Sequence, residues 1–141
     1  MKKYLFVLAA VLVSCTANSN KIIEEEPFWL GADLGWITEY EANGYNFYNN
    51  QGQKREATAL MKELGLNAVR HRVWVDPSKH GNWCSKEDLL IKCLRAKVLD
   101  MEILVDFHYS DWWADPAKQN IPASWSGHTY EQMKEDLAGH T

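Results

Sequence analysis

The sequence predicts an α/β protein that forms the first three βα units of a (β/α)8 barrel. Short apolar segments alternate with segments of helical periodicity in the order βαβαβα, which is typical of parallel strands joined by crossover helices. Each strand has a polar second face near its carboxyl end, whereas the strands of an open doubly wound sheet are apolar on both faces. Asp33, Arg70 and Asp106 recur at intervals of 37 and 36 positions, so eight such units would give about 300 residues, the size of a complete barrel.

Residues 1–15, MKKYLFVLAAVLVSC, predict a bacterial lipoprotein signal peptide. Two lysines precede an apolar stretch that is too short for a stable membrane anchor. The ending Leu12-Val13-Ser14-Cys15 resembles a lipobox, in which Cys15 would become the lipidated first residue. An ordinary signal peptide with an incidental cysteine is the alternative. We expect an exported protein on the bacterial outer membrane or cell surface, or otherwise a periplasmic or secreted one.

The rest of the chain divides into a polar tether, residues 16–27, and a folded part, residues 28–141. Hydrophobic residues make up 46% of the sequence and charged residues 24%, as in soluble globular proteins. The net charge is −4 and no lysine or arginine cluster is present, which disfavours nucleic acid as a partner. The sequence contains no glycine-rich phosphate loop and no cysteine–histidine spacing typical of a metal site, so we expect no cofactor and no metal.

The first predicted strand lies within residues 28–35, FWLGADLG. The helix of residues 54–65 follows and stops at Gly65. Its apolar residues recur at helical spacing: Ala57, Leu60, Met61 and Leu64. The valine-rich, alternating segment 66–75 predicts the second strand.

A second helix is predicted over residues 85–100, where Ser85 and Asp88 form a capping pattern. Its predicted buried stripe consists of Leu90, Cys93, Leu94 and Val98. The third strand covers residues 101–108. A third helix, residues 129–141, opens with Thr129 and Gln132 as a capping box, and its stripe is Tyr130, Met133 and Leu137.

The two cysteines of the folded part are not predicted to pair. A nine-residue helical separation between Cys84 and Cys93 is about 13 Å, whereas a disulfide needs Cα atoms within about 7 Å. We expect Cys93 to be a small buried hydrophobic residue and Cys84 to be free in a loop.

Alternation along the strands separates an apolar face from a polar one. The apolar faces carry Leu30, Ala32 and Leu34 in the first strand, Val69, Val73 and Val75 in the second, and Ile103, Val105 and Phe107 in the third. The opposite faces carry Gly31 and Asp33, then Arg70, Arg72 and Trp74, then Leu104, Asp106 and His108. In a barrel, charged residues at the carboxyl ends of strands lie where active sites form.

Seven tryptophans are an unusual number for 141 residues. Most follow a strand or end one: Trp36, Trp74, Trp83, Trp112, Trp113 and Trp125. Core packing is the expectation for Trp29, and it is an alternative for Trp125. Flat rings beside carboxylates suit sugars, because a ring stacks on the C–H face while polar groups bind the hydroxyls.

Three runs, GADLGW, GLNAVRHRVWVDP and ILVDFHYSDWWADPAKQNIPASW, carry a family resemblance. They resemble the first three strand–loop units of glycoside hydrolase family 53, whose members are endo-β-1,4-galactanases with (β/α)8 barrels. The resemblance runs from about Gly31 to Trp125. It implies hydrolysis of β-1,4-galactosidic linkages in galactan or arabinogalactan, by a protein that is a monomer when complete.

The resemblance also implies roles for individual residues. Arg70 matches the arginine that keeps the nucleophilic glutamate ionised, and a structural ion pair is the alternative. Asp106 and His108 match polar residues around the sugar at the cleavage point, although they could instead form a structural network. Trp113 matches a tryptophan that stacks on galactose, and a core role is the alternative. The remaining residues assigned to the substrate site are Asp33, Trp74 and Asp111; for Asp111, as for Asp115, ordering of the loop is the alternative.

The chain departs from the family pattern in three respects. Asp100 replaces the glycine expected at the end of the second helix, and Trp112 replaces a small or polar residue. In the family, a retaining mechanism uses two glutamates at the ends of strands 4 and 7, with carboxylates about 5–5.5 Å apart. Neither strand lies within these 141 residues, so no residue here is assigned as acid/base or nucleophile.

Two other functions remain open at this point. One is a non-catalytic glycan-binding surface lipoprotein that uses the same tryptophans. The other is a metal-dependent hydrolase that uses Asp106, His108 and Asp111. We also expect the 141-residue chain in isolation to be inactive and loosely packed or aggregated, because three strands leave two open edges.

Overall fold

The computed structural model describes residues 28–141, so the predicted signal peptide and tether lie outside the described residues. The elements are β1 (Gly31–Asp33), α1 (Ile37–Ala42), β2 (Phe47–Tyr48), β3 (Lys54–Arg55), α2 (Ala57–Glu63), β4 (Ala68–Val73), α3 (Lys86–Val98), β5 (Glu102–Phe107) and α4 (Tyr130–His140). Single 3-10 turns lie at Ser78–His80 and Ala123–Trp125. Within this part of the chain no helix is long and apolar enough to cross a membrane.

Strands β1, β4 and β5 form one parallel sheet in the order β1-β4-β5. This confirms the predicted fold class and the predicted order of strands and crossover helices. In register, Asp33 lies beside Arg70, and Arg72 lies beside Asp106. The polar residues of three separate strands therefore meet at the carboxyl edge of the sheet.

The segment between β1 and α2 contains structure that the sequence patterns did not predict. Helix α1 is followed by a small antiparallel hairpin in which β2 pairs with β3. The side chain of Asn49 closes the hairpin turn by accepting hydrogen bonds from the amides of Gln51 and Gln53, at 3.1 and 2.9 Å. Both elements are too short for a periodic pattern to reveal them.

Side-chain caps fix where the longer helices begin. The Ser85 hydroxyl accepts a hydrogen bond from the Asp88 amide at 3.3 Å, and Thr129 and Gln132 form the predicted capping box of α4. Glu56 caps α2 by accepting from the Ala59 amide at 2.8 Å. The predicted starts of α3 and α4 are thus confirmed.

The predicted buried stripe of α3 is wrong. Leu90, Leu94 and Val98 are exposed, Val98 by 85%. The face that meets the sheet instead carries three buried residues: Asp88, Lys92 and Ala96. Lys92 is fully buried, and its ammonium group donates hydrogen bonds to the Gly35 carbonyl and the Asp88 carboxylate. The other stripes are only partly covered: Leu60 is buried, whereas Leu64, Tyr130 and Leu137 are exposed.

The apolar core lies between α3 and the sheet. Val69, Ala96 and Met101 are its buried centre, and four residues pack around them: Leu34, Leu66, Leu99 and Ile103. The two cysteines of the described residues have free thiols, as predicted; Cys84 is buried, and Cys93, which was expected to be buried, is half-buried. This core holds the strands in the register that sets the position of their polar ends.

Candidate functional site

Arg70 joins the polar ends of all three strands. Its guanidinium group forms ion pairs with the carboxylates of Asp33 on β1 and Asp106 on β5. Asp33 also accepts hydrogen bonds from Arg72 at 3.0 Å and from the Gly35 amide at 2.8 Å. Burial disfavours the ionised form of Asp33, but these donors outweigh it and hold the pKa of its carboxyl below the ordinary value.

A hydrogen-bonded chain leads from Arg70 to Trp74. Nε2 of His108 lies 2.7 Å from Oδ2 of Asp106, and the Trp74 indole Nε1 donates to Nδ1 of His108 at 3.2 Å. An indole N–H can only donate, so Nδ1 must accept and Nε2 must carry the proton that is donated to Asp106. The chain therefore fixes one tautomer and one ring orientation for His108.

Four tryptophans form an aromatic cluster beside this chain: Trp36, Trp74, Trp112 and Trp113. The ring centroid of Trp36 lies 5.8, 5.9 and 5.7 Å from the centroids of Trp74, Trp112 and Trp113, respectively. Trp74 is buried, whereas Trp113 remains 42% exposed. The Trp113 ring contacts those of Trp36, Trp74 and His108, so it is an exposed and well-supported platform for a ligand with an apolar face.

The Arg72 guanidinium lies beneath the aromatic cluster and was not among the predicted site residues. Its Cζ is 4.3 Å from the Trp113 ring centroid and 5.0 Å from that of Trp36. A Cβ at Gly35 would lie 2.6 Å from Arg72 Nη2, so a larger residue there would displace the guanidinium group. Alternation along the second strand places Arg72 on the same face as Arg70, and this pattern could have indicated Arg72 as a site residue. Alternation does not predict its cation–π contacts.

Not every tryptophan is part of this site. Trp125 is buried, in agreement with its core alternative, and neither it nor Trp83 belongs to the cluster. The core expectation for Trp29 is wrong in this structure, because its ring is 52% exposed on the open inner face of the sheet. Trp29 precedes β1, at the opposite end of the strand from the polar residues.

Asp111 and Asp115 make contacts that order the loop. The Asp111 carboxylate accepts hydrogen bonds from the Asp76 amide at 3.1 Å and from the Ala123 amide at 2.8 Å, which ties the loops after β4 and β5 together. Asp115 accepts from the Ala117 amide at 2.8 Å across the intervening proline. The role of Asp111 in substrate binding stays a prediction.

A buried polar network supports the site from the helix side of the sheet. The Lys92 ammonium donates to the Gly35 carbonyl and to the Asp88 carboxylate, both at 2.8 Å. The Cys84 amide donates to Asp88 at 2.7 Å, and its thiol donates to the Gly35 carbonyl at 3.2 Å. Burial raises the pKa of the Cys84 thiol. Gly35 stands between Asp33 and Trp36, so this network fixes the backbone of the site.

His71 lies next to this network and was also missed. It is fully buried on the same face as Val69 and Val73, and neither ring nitrogen has a hydrogen-bond partner among residues 28–141. Burial, and secondarily the charge of Lys92, lowers the pKa of His71 to about 4. Its ring is therefore neutral at pH 7.

The described residues contain no group of three or more His, Cys, Asp or Glu side chains arranged to hold a metal ion. Asp106 and His108 are hydrogen-bonded to each other, and Asp111 is engaged by loop amides. The metal-dependent alternative therefore finds no ligand set in this part of the chain.

Comparison with known proteins identifies the family. Residues 29–141 match Glycosyl hydrolase family 53. This chain belongs to glycoside hydrolase family 53. Its fold is the corresponding part of the family's barrel domain: it superimposes on the family 53 catalytic domain from Ignisphaera aggregans with a TM-score of 0.75 and 32% sequence identity, over 83% of this chain and 35% of that one.

Curated relatives in the family include named galactanases. The chain is 39% identical over 129 residues to the arabinogalactan endo-β-1,4-galactanase of Cellvibrio japonicus, covering 89% of this chain and 33% of the relative. It is 37% identical over 120 residues to the endo-β-1,4-galactanase of Bacillus subtilis, covering 81% and 28%, respectively. The chain thus spans about a third of the length of these relatives.

Proposed function

We propose that this family 53 chain forms one wall of the substrate cleft in an endo-β-1,4-galactanase that acts on galactan or arabinogalactan. The observation that carries the proposal is the Arg70–Asp106–His108–Trp74 chain beneath the exposed ring of Trp113. These groups lie on, or just after the carboxyl ends of, the two neighbouring parallel strands β4 and β5, at the edge of the sheet where barrel enzymes carry out their chemistry. The named galactanases among its relatives supply the substrate class.

In the proposed reaction, two glutamates from later strands act as nucleophile and acid/base in a retaining mechanism. Arg70 would touch the nucleophilic carboxylate and favour its ionised form, as a neighbouring cation does. The two aspartates on either side of Arg70 hold its guanidinium in place and leave it part-exposed toward the barrel interior. Arg70 would support the reaction without itself forming or breaking a bond to the sugar.

The aromatic cluster gives the proposed cleft its affinity for sugar. Trp113 offers an exposed face for the C–H side of a galactosyl ring. His108, Asp106 and Asp33 place polar atoms at the same edge of the sheet, where hydroxyl groups can be bound.

The test uses the complete protein, with the reading frame extended through all eight units. Reducing-sugar release is measured on β-1,4-galactan, arabinogalactan and, as controls, cellulose and xylan. The proposal requires hydrolysis of the galactans. Trp113→Ala should lower kcat/KM by a factor that corresponds to about 1–3 kcal/mol of lost transition-state stabilisation, with the fold retained. Tyr130→Ala, which removes an exposed ring on α4, should leave kcat/KM unchanged. Galactan binding without hydrolysis would instead indicate the glycan-binding alternative.

We further propose that the 141-residue chain alone releases no galacto-oligosaccharide, because a nucleophile and a general acid are both required. Expression of residues 16–141 beside the complete protein tests this with the same assay. Hydrolysis by the short chain that is abolished by Asp106→Asn would show that the catalytic carboxylates have been assigned to the wrong strands.

The export proposal rests on the Leu12-Val13-Ser14-Cys15 sequence, which lies outside the described residues. Cys15 is proposed to carry a lipid that holds the protein on a membrane surface. Labelled palmitate should be incorporated into the expressed protein and lost in Cys15→Ala. Labelling that persists in this variant would rule out the anchor.

A further inference from the structure

A cavity of about 690 Å³ that is widely open to solvent lies beside the aromatic cluster, on the side of α1. Its walls are formed chiefly by Trp36, Glu39, Tyr40, Asn43, Tyr45 and Trp112. The volume is within the range of pockets that hold small ligands. We call it the α1 cavity. None of Glu39, Tyr40, Asn43 or Tyr45 takes part in the Arg70 chain described above.

The fold holds the aromatic walls of the α1 cavity in place. Helix α1 ends at Ala42, and Gly44 turns the chain back with a φ of 83°. The Tyr45 amide then donates to the Tyr40 carbonyl at 3.0 Å, and the two rings meet with centroids 5.5 Å apart. Both rings nevertheless remain largely exposed, Tyr45 by 64%. Because the two rings pack against each other, each loses less freedom when a ligand stacks on it.

The polar groups of the α1 cavity favour a neutral, hydroxyl-rich ligand. Among residues 28–141 the Glu39 carboxylate has no hydrogen-bond or ion-pair partner, and the cavity lining contains no lysine or arginine. Asn43 uses its Nδ2 to bind the Glu39 carbonyl at 2.9 Å, which leaves its Oδ1 as an acceptor. A carboxylate and an amide oxygen accept hydroxyl protons, whereas an anionic ligand would meet only negative charge.

The α1 cavity shares an aromatic wall with the proposed galactan cleft. Trp36 contributes to both, because it lines the cavity and its ring centroid lies 5.7 Å from that of Trp113. Trp112 also lines the cavity and stacks on His80 with centroids 3.8 Å apart, which holds its ring in position. A saccharide chain on Trp113 could therefore continue over Trp36 into the α1 cavity.

We propose that the α1 cavity is a glycosyl-binding subsite that extends the galactan cleft beyond Trp113. The proposal rests on the proposed function. Its ligand is a sugar ring with one C–H face and free hydroxyl groups, which could be a further galactosyl unit of the main chain or an arabinosyl branch. An aromatic wall with one carboxylate would also suit a quaternary ammonium group. The Trp36 ring, which lines the cavity and contacts Trp113, favours the sugar.

The experiment measures binding by calorimetry, with the complete protein and linear β-1,4-galacto-oligosaccharides of three to eight units. Arabinose-branched galacto-oligosaccharides of matched length form a second arm, and choline forms a third. Tyr45→Ala removes one wall and Glu39→Gln removes the free carboxylate. Tyr48→Ala is the matched control, because this exposed tyrosine lies on the adjacent hairpin outside the cavity lining.

Tyr45→Ala is expected to lower the affinity for long or branched ligands by about tenfold, because one stacking platform is lost. The affinity for the shortest ligands should not change. Glu39→Gln should act in the same direction, and Tyr48→Ala should have no effect. A loss confined to branched ligands identifies the branch, and a loss with linear ligands identifies the main chain. Equal affinity of wild type and Tyr45→Ala at every length, or saturable choline binding lost in Tyr45→Ala, would overturn the proposal. Because binding is measured, absent hydrolysis would contradict the proposed function alone.

Discussion

The ammonium group of Lys92, in the middle of α3, donates a hydrogen bond of 2.8 Å to the carbonyl oxygen of Gly35, in the loop after β1. The two residues are 57 positions apart in the sequence. Gly35 in turn donates its amide to Asp33 and lies against the Arg72 guanidinium. A buried lysine on the helix side of the sheet thus fixes the backbone from which the polar edge is built.

Removing the Lys92 ammonium group should be strongly destabilising. Lys92→Met would leave the Asp88 carboxylate buried without its counter-charge, and loss of one partner from a buried ion pair costs about 3–5 kcal/mol. The measurement is thermal and denaturant unfolding of the complete protein, with Lys97→Met, on the exposed side of α3, as control. The double variant Lys92→Met/Asp88→Leu should be less destabilised than Lys92→Met. Equal melting temperatures of Lys92→Met and Lys97→Met would contradict this account of the network.

The buried ring of His71 predicts a loss of stability in mild acid. Burial lowers the pKa of His71 from 6.5 to about 4, so the unfolded chain binds a proton in this window that the folded chain does not. The free energy of unfolding is therefore unaffected by His71 protonation above about pH 6.5, and this part of the stability is lost as the pH falls toward 4. It amounts to about 3 kcal/mol at most.

The His71→Leu variant tests this prediction. Its free energy of unfolding should depend less on pH between 4 and 6.5, and should match or exceed that of the wild type at pH 5, because two unpartnered ring nitrogens are removed. His80→Leu, at an exposed position, is the control and should keep the wild-type slope. An unchanged slope in His71→Leu would show that other groups cause the acid sensitivity.

Asp100 adopts a backbone conformation that glycine tolerates better. Its φ is 52°, and it occupies the position after α3 that Gly65 occupies after α2. Asp100→Gly should raise stability by about 0.5–1 kcal/mol, and Asp100→Val should lower it, because a β-branched side chain is strained at this φ. If the backbone conformation at position 100 decides the outcome, the melting temperature rises in Asp100→Gly and falls in Asp100→Val. A loss of stability in Asp100→Gly would mean that the aspartate side chain contributes more than the strain.

The sequence patterns predicted the parallel strands, the helices that connect them and part of the candidate site. Alternation along the strands placed Arg70 and Asp106 on one face, and the capping residues Ser85 and Thr129 marked the helix starts correctly. These features depend on neighbours close in sequence or on strict period-two alternation. The expected role of Arg70 came from the family resemblance and not from periodicity.

The sequence patterns failed where distant partners decide the outcome. A lysine in a helix is normally assigned to the solvent side, and nothing local shows that Lys92 meets a carbonyl 57 positions away. His71 was overlooked for the same reason, since burial of an unpartnered ring is not visible in an alternating strand. The Trp29 expectation was wrong because the inner face of the three-stranded sheet beside it is open in this structure.

Arg70 provides the most direct test of the central claim, that the polar edge of these three strands belongs to a galactanase active centre. The measurement is kcat on β-1,4-galactan for Arg70→Met in the complete protein, with Arg55→Met as the matched control, since Arg55 forms an ion pair with Glu63 on the surface. Arg70→Met should lower kcat by about 100-fold or more while the protein remains folded, Arg70→Lys should restore part of the rate, and Arg55→Met should stay within about twofold of wild type. Wild-type kcat in a folded Arg70→Met protein would contradict the claim.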